Sequence, residues 1–337
     1  MKFGPIPVAE AVGAIAAHTV RAGDVVLKKG SVISAEVAGR LERAGIGSLT
    51  AVQLESGDVG EDEAARRLAE ALAGAGVQVE RPFTGRCNLF ALNAGILLVD
   101  KEAVDGINRV DEAITAATLP AFKPVVLGEM IGTVKIIPYA VPDATLSRAL
   151  QAAGGGLRVA PYRRRRVGVI STLTPGLKTS VVDKTIQVLE ARLAPAGAVV
   201  SQEARVEHDE DALAATIRRQ AADEAELIVV FGASAIADRR DVIPAALEQA
   251  GGRVEHFGMP VDPGNLLLVG SLDGRPVIGA PGCARSPKEN GFDWVLQRLL
   301  ADVPVTRADI TGLGVGGLLM EIVSRPQPRA GGASAEE

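Results

Sequence analysis

The chain has 337 residues, a length that suggests two domains, with 47% hydrophobic and 23% charged residues. That balance excludes a mainly disordered chain, and aromatics at only 3% argue against a binder that stacks nucleobases on rings. A net charge of −5 supplies no global attraction for nucleic acid or an anionic membrane. Cys87 and Cys283 lie far apart and form no CxxC pair, so neither a zinc site nor a disulfide framework is expected. The apolar N-terminus is broken by Pro5, Pro7 and Glu10, and no run of about 18 apolar residues occurs. A cytoplasmic protein is the expectation.

In chain order, residues 7–17 and 34–44 read as short helices around a strand near 24–28. Residues 61–75 form an amphipathic helix, with Leu68 and Leu72 on one face beside Ala64, Ala65 and Ala75. Strand-like runs follow at 96–99, 125–127 and 134–137, and the whole of 1–150 reads as an α+β domain. The helical stretch before Gly154-Gly155-Gly156 opens a linker over 151–165. Arg163 to Arg166 read either as a solvated flank of the next strand or as contacts to an anionic ligand or the other domain.

From 166 to 325 strands and helices alternate. Strands are expected at 166–171, 197–202, 226–231 and 253–257, with helices at 180–194, 209–222 and 241–250. Asp209 is the expected cap of the second helix. A hairpin at 265–269 and 276–279 turns on Ser271 to Gly274, and a helix over 288–301 follows. Such alternation implies a three-layer α/β/α domain on a mainly parallel sheet. The glycine run 312–317 lacks the units of a dinucleotide loop and reads as a place of close packing. Residues 326–337 read as a disordered tail.

Ligands of such sheets sit beyond the carboxyl ends of the strands. Four loops rich in Gly, Pro, Ser and Thr fall there: 171–180, 232–241, 259–265 and 279–287. Glycines let a backbone approach a ligand, and N–H groups with hydroxyls suit a phosphate. Asp241, with Asp238 beside it, either binds Mg²⁺ and orients a phosphate or caps a helix. Lys178, Arg285 and Ser286 are candidates for phosphate contact, with a solvated loop lysine as the alternative for Lys178 and a helix cap as that for Ser286. Cys283 is either close to the ligand or a small residue in a tight turn. His208 reads as exposed ahead of a helix, and no Ser/His/Asp order is suggested.

The spacing of these loops resembles the molybdopterin-binding domain shared by molybdopterin adenylyltransferases, molybdotransferases and competence-damage proteins. Ile170-Ser171-Thr172 with Pro175-Gly176 resembles the family's first loop, and Gly232-Ala233-Ser234 followed by Asp241 its second. Met259 to Gly264, including Pro263, is similar to the family's lysine turn, and Ala280-Pro281-Gly282 to its last Pro-Gly element. The match covers about 166–301. The family's Gly-Asp-Glu is Leu173-Thr174 here, its two lysines are Asp262 and Asn265, and its final asparagine is Cys283. These departures remove acids and cations that nucleotidyl transfer needs. Phosphate binding through backbone N–H groups does not depend on them. In the first half, Gly85 to Leu89, Asn108 to Asp111, Ala117 to Pro120 and Thr133 to Pro138 resemble the molybdopterin-binding half of fusions with a cytidylyltransferase-like domain.

The resemblance implies binding of molybdopterin or molybdenum cofactor during cofactor maturation, with Ser171, Thr172, Pro175, Gly176, Lys178, Gly232, Ala233, Ser234, Pro263, Gly264, Pro281, Gly282, Cys283, Arg285 and Ser286 around the ligand. Two alternatives stay open. One is an active Mg²⁺-dependent molybdopterin nucleotidyl- or molybdo-transferase, with Asp241 and Asp238 catalytic and Asp241 holding the metal. The other is a non-catalytic module that delivers cofactor. The chain stops before any nucleotide loop, so a separate nucleotidyltransferase or molybdoenzyme is the expected partner. The family also implies a homo-oligomer, dimer or trimer.

Overall fold

Short apolar strands and alanine-rich helices build the first of two units, residues 1–161, and the second begins at Tyr162. The structure is a computed structural model that describes residues 1–319; the expected tail at 326–337 lies outside the described residues.

In the first unit, Lys2–Pro7, Ser48–Gln53 and Ile15–Ala16 form an antiparallel sheet. The helix expected over 7–17 is instead a single turn at Val8–Glu10 followed by a strand residue pair, because Gly13 takes a positive φ of 86° that a helix does not accept. The helix Ala35–Arg43 starts at Ser34, whose side chain accepts from Val37 N–H. Downstream, Glu61–Leu72 buries Ala64, Ala65, Leu68, Ala69 and Leu72 completely. These residues share an apolar core with Cys87, Leu89, Val134 and Ile136 of an antiparallel sheet ordered Ile114–Thr118, Met130–Ile136, Arg86–Ala91, Val77–Val79. Asn108 secures that sheet's outer strand, giving Nδ2–H to Ala116 O at 2.9 Å and accepting Ala116 N–H at 2.8 Å. Residues 151–165, expected as a linker, include the end of the helix Asp143–Ala153 and the strand Leu157–Pro161, which pairs with Gly95–Val99.

The second unit alternates as its sequence suggests. Its elements are β1 (Arg166–Leu173), α1 (Thr179–Leu193), β2 (Val199–Glu207), α2 (Glu210–Ala222), β3 (Leu227–Phe231), α3 (Val242–Gln249), β4 (Arg253–Phe257), β5 (Leu268–Leu272), β6 (Arg275–Ala280) and α4 (Gly291–Leu300). The strand order is β2-β1-β3-β6-β5-β4. The first four strands in this order are mutually parallel, β5 pairs antiparallel with β6, and β4 pairs antiparallel with β5 and so runs with the first four. The expected hairpin is β5–β6, closed by Asp273 and Gly274 at φ 49° and 75°, the left-handed pair that a two-residue turn needs.

Continuous apolar sequence makes β3 fully buried. Ile228 and Val230 pack with Leu213 and Ile217 of α2 and with Ile243 and Leu247 of α3. The alternate residue Phe231 faces the other way and meets Phe292 of α4 with ring centroids 6.4 Å apart. Arg192 of α1 lies over the same Phe292 ring, so α1 and α4 cover the second face. This is the three-layer α/β/α arrangement on a mainly parallel sheet. Within the glycine run close packing is confined to Gly317, where a Cβ would stand 2.2 Å from Pro260 O; Gly312 and Gly316 face open space. No helix among the described residues is long and apolar enough to cross a membrane.

Candidate functional site

The chain leaves β1 through α1 to reach β2 on one side, then crosses by α2 to β3 on the other side of β1. Connections that part in opposite directions open a crevice beyond the carboxyl ends of β1 and β3. Thr172 lies at the end of β1, and Gly232, Ala233 and Ser234 follow β3 directly.

One peptide unit at this edge is held from both ends. Ala233 N–H donates to Thr172 Oγ1 at 2.8 Å. The carbonyl of the same peptide, Gly232 O, accepts from Arg285 Nη2 at 2.7 Å. Gly232 is required here, because a Cβ would stand 2.7 Å from Ser234 O and 2.8 Å from Ile243 Cδ1. Arg285 also donates to Thr185 Oγ1 at 3.2 Å and lies 5.6 Å from the Phe231 ring centroid. Burial makes its guanidinium easier to deprotonate than an ordinary arginine. It has no carboxylate partner among the described residues. Ser171, the register partner of Phe231, is 2% exposed, and its Oγ finds no hydrogen-bond partner.

His208 completes the cluster. Its N–H extends the β1–β2 ladder by donating to Leu173 O at 2.9 Å. Its ring then bridges two hydroxyls, with Nδ1 2.8 Å from Thr172 Oγ1 and Nε2 2.9 Å from Ser234 Oγ. His208 is thus half-buried and engaged, a correction to its reading as an exposed residue. It was missed because β2 was expected to stop at 202, whereas the strand runs to Glu207 and delivers His208 to the edge. A histidine directly after an alternating strand that ends at the ligand edge was the available signal.

The last loop is fastened from beneath by a second residue that sequence reasoning missed. Arg192 of α1 is almost buried and donates to Ala284 O at 2.8 Å, Ser286 O at 2.6 Å and Lys288 O at 3.2 Å, and through Nε to Asp293. Asn290 caps α4 and donates to Cys283 O at 3.4 Å, and Gly291 N–H donates to Pro263 O at 2.8 Å. A Cβ on Gly264 would meet Gly291 N at 2.8 Å, so the 263–264 turn sits against the start of α4. Pro281 and Gly282 begin the short turn Gly282–Arg285, and Ser286 Oγ accepts from Lys288 N–H at 3.4 Å.

The expected residues therefore do not all converge through direct contacts. Thr172, Gly232, Ala233, Ser234 and Arg285 form one bonded cluster with His208. Pro175 and Gly176 lie in an exposed turn closed by Leu177 N–H to Thr174 O, and Lys178 precedes α1. Among the described residues no hydrogen bond joins Pro175, Gly176, Lys178, Pro263 or Gly264 to the cluster.

The two aspartates differ from the metal reading. Asp241 accepts Val242 N–H at 2.8 Å and Ala237 N–H at 3.1 Å, which makes it the cap of α3 and the clasp of the preceding loop. Asp238 is bonded to Arg240, whose guanidinium holds the carboxyl below the usual range. No group of three or more His, Cys, Asp or Glu residues that could hold a metal ion occurs among the described residues. As placed, these carboxylates act as a cap and an ion-pair partner. Of the four arginines, Arg166 pairs with Glu226, Arg164 with Asp302 and Leu299 O, and Arg165 with Tyr162 O, while Arg163 N–H donates to Leu300 O.

The second unit is thus an α/β domain with a polar, hydroxyl-rich edge at its switch point. Residues 168–302 match the family model described as "Probable molybdopterin binding domain". That span is a member of the molybdopterin-binding domain family. Residues 5–53 match a "Domain of unknown function (DUF8806)". No curated protein matches the chain. Among solved structures, the chain is similar to a molybdopterin biosynthesis MoeA protein from Pyrococcus horikosii at 16% identity and TM-score 0.32, covering 89% of this chain and 75% of that one. It is similar to a molybdenum cofactor biosynthesis protein from Pyrococcus furiosus at 12% identity and TM-score 0.26, covering 92% of this chain and 65% of that one. It is also similar to the protein CinA, of unknown function, from Thermoplasma acidophilum at 20% identity and TM-score 0.29, covering 42% of this chain and 99% of that one.

Proposed function

We propose that the second unit binds molybdopterin or its molybdenum-bearing form during assembly of the molybdenum cofactor, in the cytoplasm. One observation carries this reading. The span that matches the molybdopterin-binding family is the span whose switch-point edge gathers Thr172, Ala233, Ser234, His208 and Arg285. Ser234 is exposed and offers a hydroxyl, while Arg285 brings a positive charge with no carboxylate against it, a combination that suits a phosphate-bearing ligand. Ser171, Pro175, Gly176, Lys178, Pro263, Gly264, Pro281, Gly282, Cys283 and Ser286 are the proposed wider lining. With Asp238 and Asp241 engaged as an ion-pair partner and a cap, holding and delivering the pterin is favoured over Mg²⁺-dependent transfer. The proposed recipients are a separate nucleotidyltransferase or a molybdoenzyme, and the proposed assembly is a dimer or trimer. Neither nucleic acid nor a membrane is proposed as a partner.

The test is a titration of the full chain with molybdopterin, followed by pterin fluorescence, with and without Mg²⁺ and nucleotide. Saturable binding at micromolar protein, weakened in Ser234→Ala, is the expected result. No binding under any of these conditions overturns the reading.

A further inference from the structure

We propose that His208 is a positioning residue that fixes the direction of hydrogen bonding at the crevice, so that Ser234 meets its ligand as a donor to an anionic oxygen and not as a nucleophile. The ligand class is a phosphate or phosphomonoester oxygen, and the inference rests on the reading of this edge as an anion-bearing ligand's site.

The argument begins at Thr172. Its side chain is buried, at 1% exposure, and its Oγ1 already accepts Ala233 N–H. A buried hydroxyl hydrogen needs an acceptor. The other atom within reach is His208 Nδ1 at 2.8 Å, so Thr172 donates and Nδ1 accepts. A neutral imidazole that accepts at Nδ1 carries its proton on Nε2. Nε2–H therefore donates to Ser234 Oγ at 2.9 Å. The serine oxygen accepts this bond and its own hydrogen turns away from the ring, toward the solvent face on which Ser234 lies. The chain of donors runs Ala233 N–H, Thr172 O–H, His208 Nε2–H, Ser234 O–H, all in one sense, and each bond polarises the next.

The opposite sense would make Ser234 give its proton to Nε2, as an activated nucleophile does. That would require Nδ1–H to donate to a threonine oxygen that already accepts a backbone N–H. The buried threonine hydrogen would then have no acceptor. The direction biases selectivity: the hydrogen that Ser234 has left to give is met by a phosphate oxygen, whereas an ammonium or amide N–H meets only the second lone pair of an oxygen that already accepts from Nε2–H.

The experiment uses the full chain labelled with ¹⁵N at its three histidines. Long-range ¹H–¹⁵N correlation reads the ring tautomer directly, and His208→Gln identifies the signals. The expected pattern for His208 is Nε2 protonated and Nδ1 bare, with the bias lost in Thr172→Val and kept in Thr172→Ser. Titration with inorganic phosphate is expected to shift the Ser234 and Ala235 amides. Phosphate affinity should fall about tenfold in Ser234→Ala and in Thr172→Val, the loss of about one charge-assisted hydrogen bond. A fluorophosphonate probe should leave Ser234 unlabelled. An Nδ1–H tautomer, labelling of Ser234, or phosphate that leaves these amides unmoved overturns the proposal. Phosphate bound at Ser234 without any molybdopterin binding upholds it and overturns the pterin reading instead.

Discussion

Replacing Arg192 by methionine is the most demanding test of how this edge is held. The guanidinium is almost completely buried, and four groups depend on it: the carbonyls of Ala284, Ser286 and Lys288 and the carboxylate of Asp293. Methionine keeps the aliphatic stem and leaves all four without their donor. Breaking a buried pair by removing one partner costs about 3–5 kcal/mol. Here Lys288 is exposed and Ser286 and Asp293 are half-exposed, so water recovers part of the loss and the expected cost is about 3 kcal/mol. Trp294, the single tryptophan, lies on α4 beside Asp293 and reports unfolding of this unit by fluorescence. With a urea slope of about 1–3 kcal/mol/M, the midpoint should fall by ~1–3 M at unchanged slope. The loop it fastens carries Arg285, so pterin affinity should also fall under conditions where the variant stays folded. A loss below about 1 kcal/mol, the size of an exposed ion pair, would refute the reasoning.

Three further outcomes are expected. Gly232→Ala should cost about 1–3 kcal/mol by overpacking, because its Cβ meets Ser234 O and the side chain of Ile243; it should weaken phosphate binding more than stability, and a variant that binds normally would show that the 232–233 peptide need not be held. Burial pushes Glu226 up, but the N–H groups of Arg165 and Arg166, with the Arg166 guanidinium, outweigh it and leave the carboxyl below its ordinary range. Its stabilisation is therefore complete above the ordinary glutamate range and is lost as pH falls through the depressed native value, so urea midpoints from about pH 6 to pH 3 should fall less steeply in Glu226→Gln than in the wild type; parallel curves would contradict this. Burial pushes the Cys87 thiol up to about 11, so a thiol reagent near neutral pH should reach Cys87 only on unfolding, checked by labelling rates with and without urea. Rapid labelling of Cys87 in the native chain would disprove it.

The parts of the fold that were legible in the sequence are those where one physical signal dominates. Leu227–Phe231 is a central strand with both faces covered, so every residue is apolar and the run stands out. Glu61–Leu72 is legible for the opposite reason, since its alanines and leucines recur on one face and its charges on the other. Much of the first unit escaped because its strands are short. Val77–Val79, Asp58–Gly60 and Ala140–Pro142 have three residues each, too few for an alternation to declare itself. These strands exist because partners distant in sequence complete them.

β2 was truncated for a related reason, and the truncation concealed the centre of the site. It is an edge strand, its residues alternate between exposed and half-buried, and its polar half Ser201 to Glu207 reads as loop when the neighbouring strand is not known. Extending the strand to its last rung turns His208 from a surface residue into the member of the cluster that touches both Thr172 and Ser234. The loop motifs do follow the carboxyl ends of the strands, because Gly, Pro, Ser and Thr suit the backbone geometry there, which is local. The hydrogen-bond direction across the edge is not local: it depends on Thr172 being buried, on Ala233 N–H being aimed at it, and on a ladder bond from His208 to Leu173 across two strands. Residue spacing can therefore nominate a phosphate edge, while the donor or acceptor character of each hydroxyl along it is decided by the packing of the sheet behind.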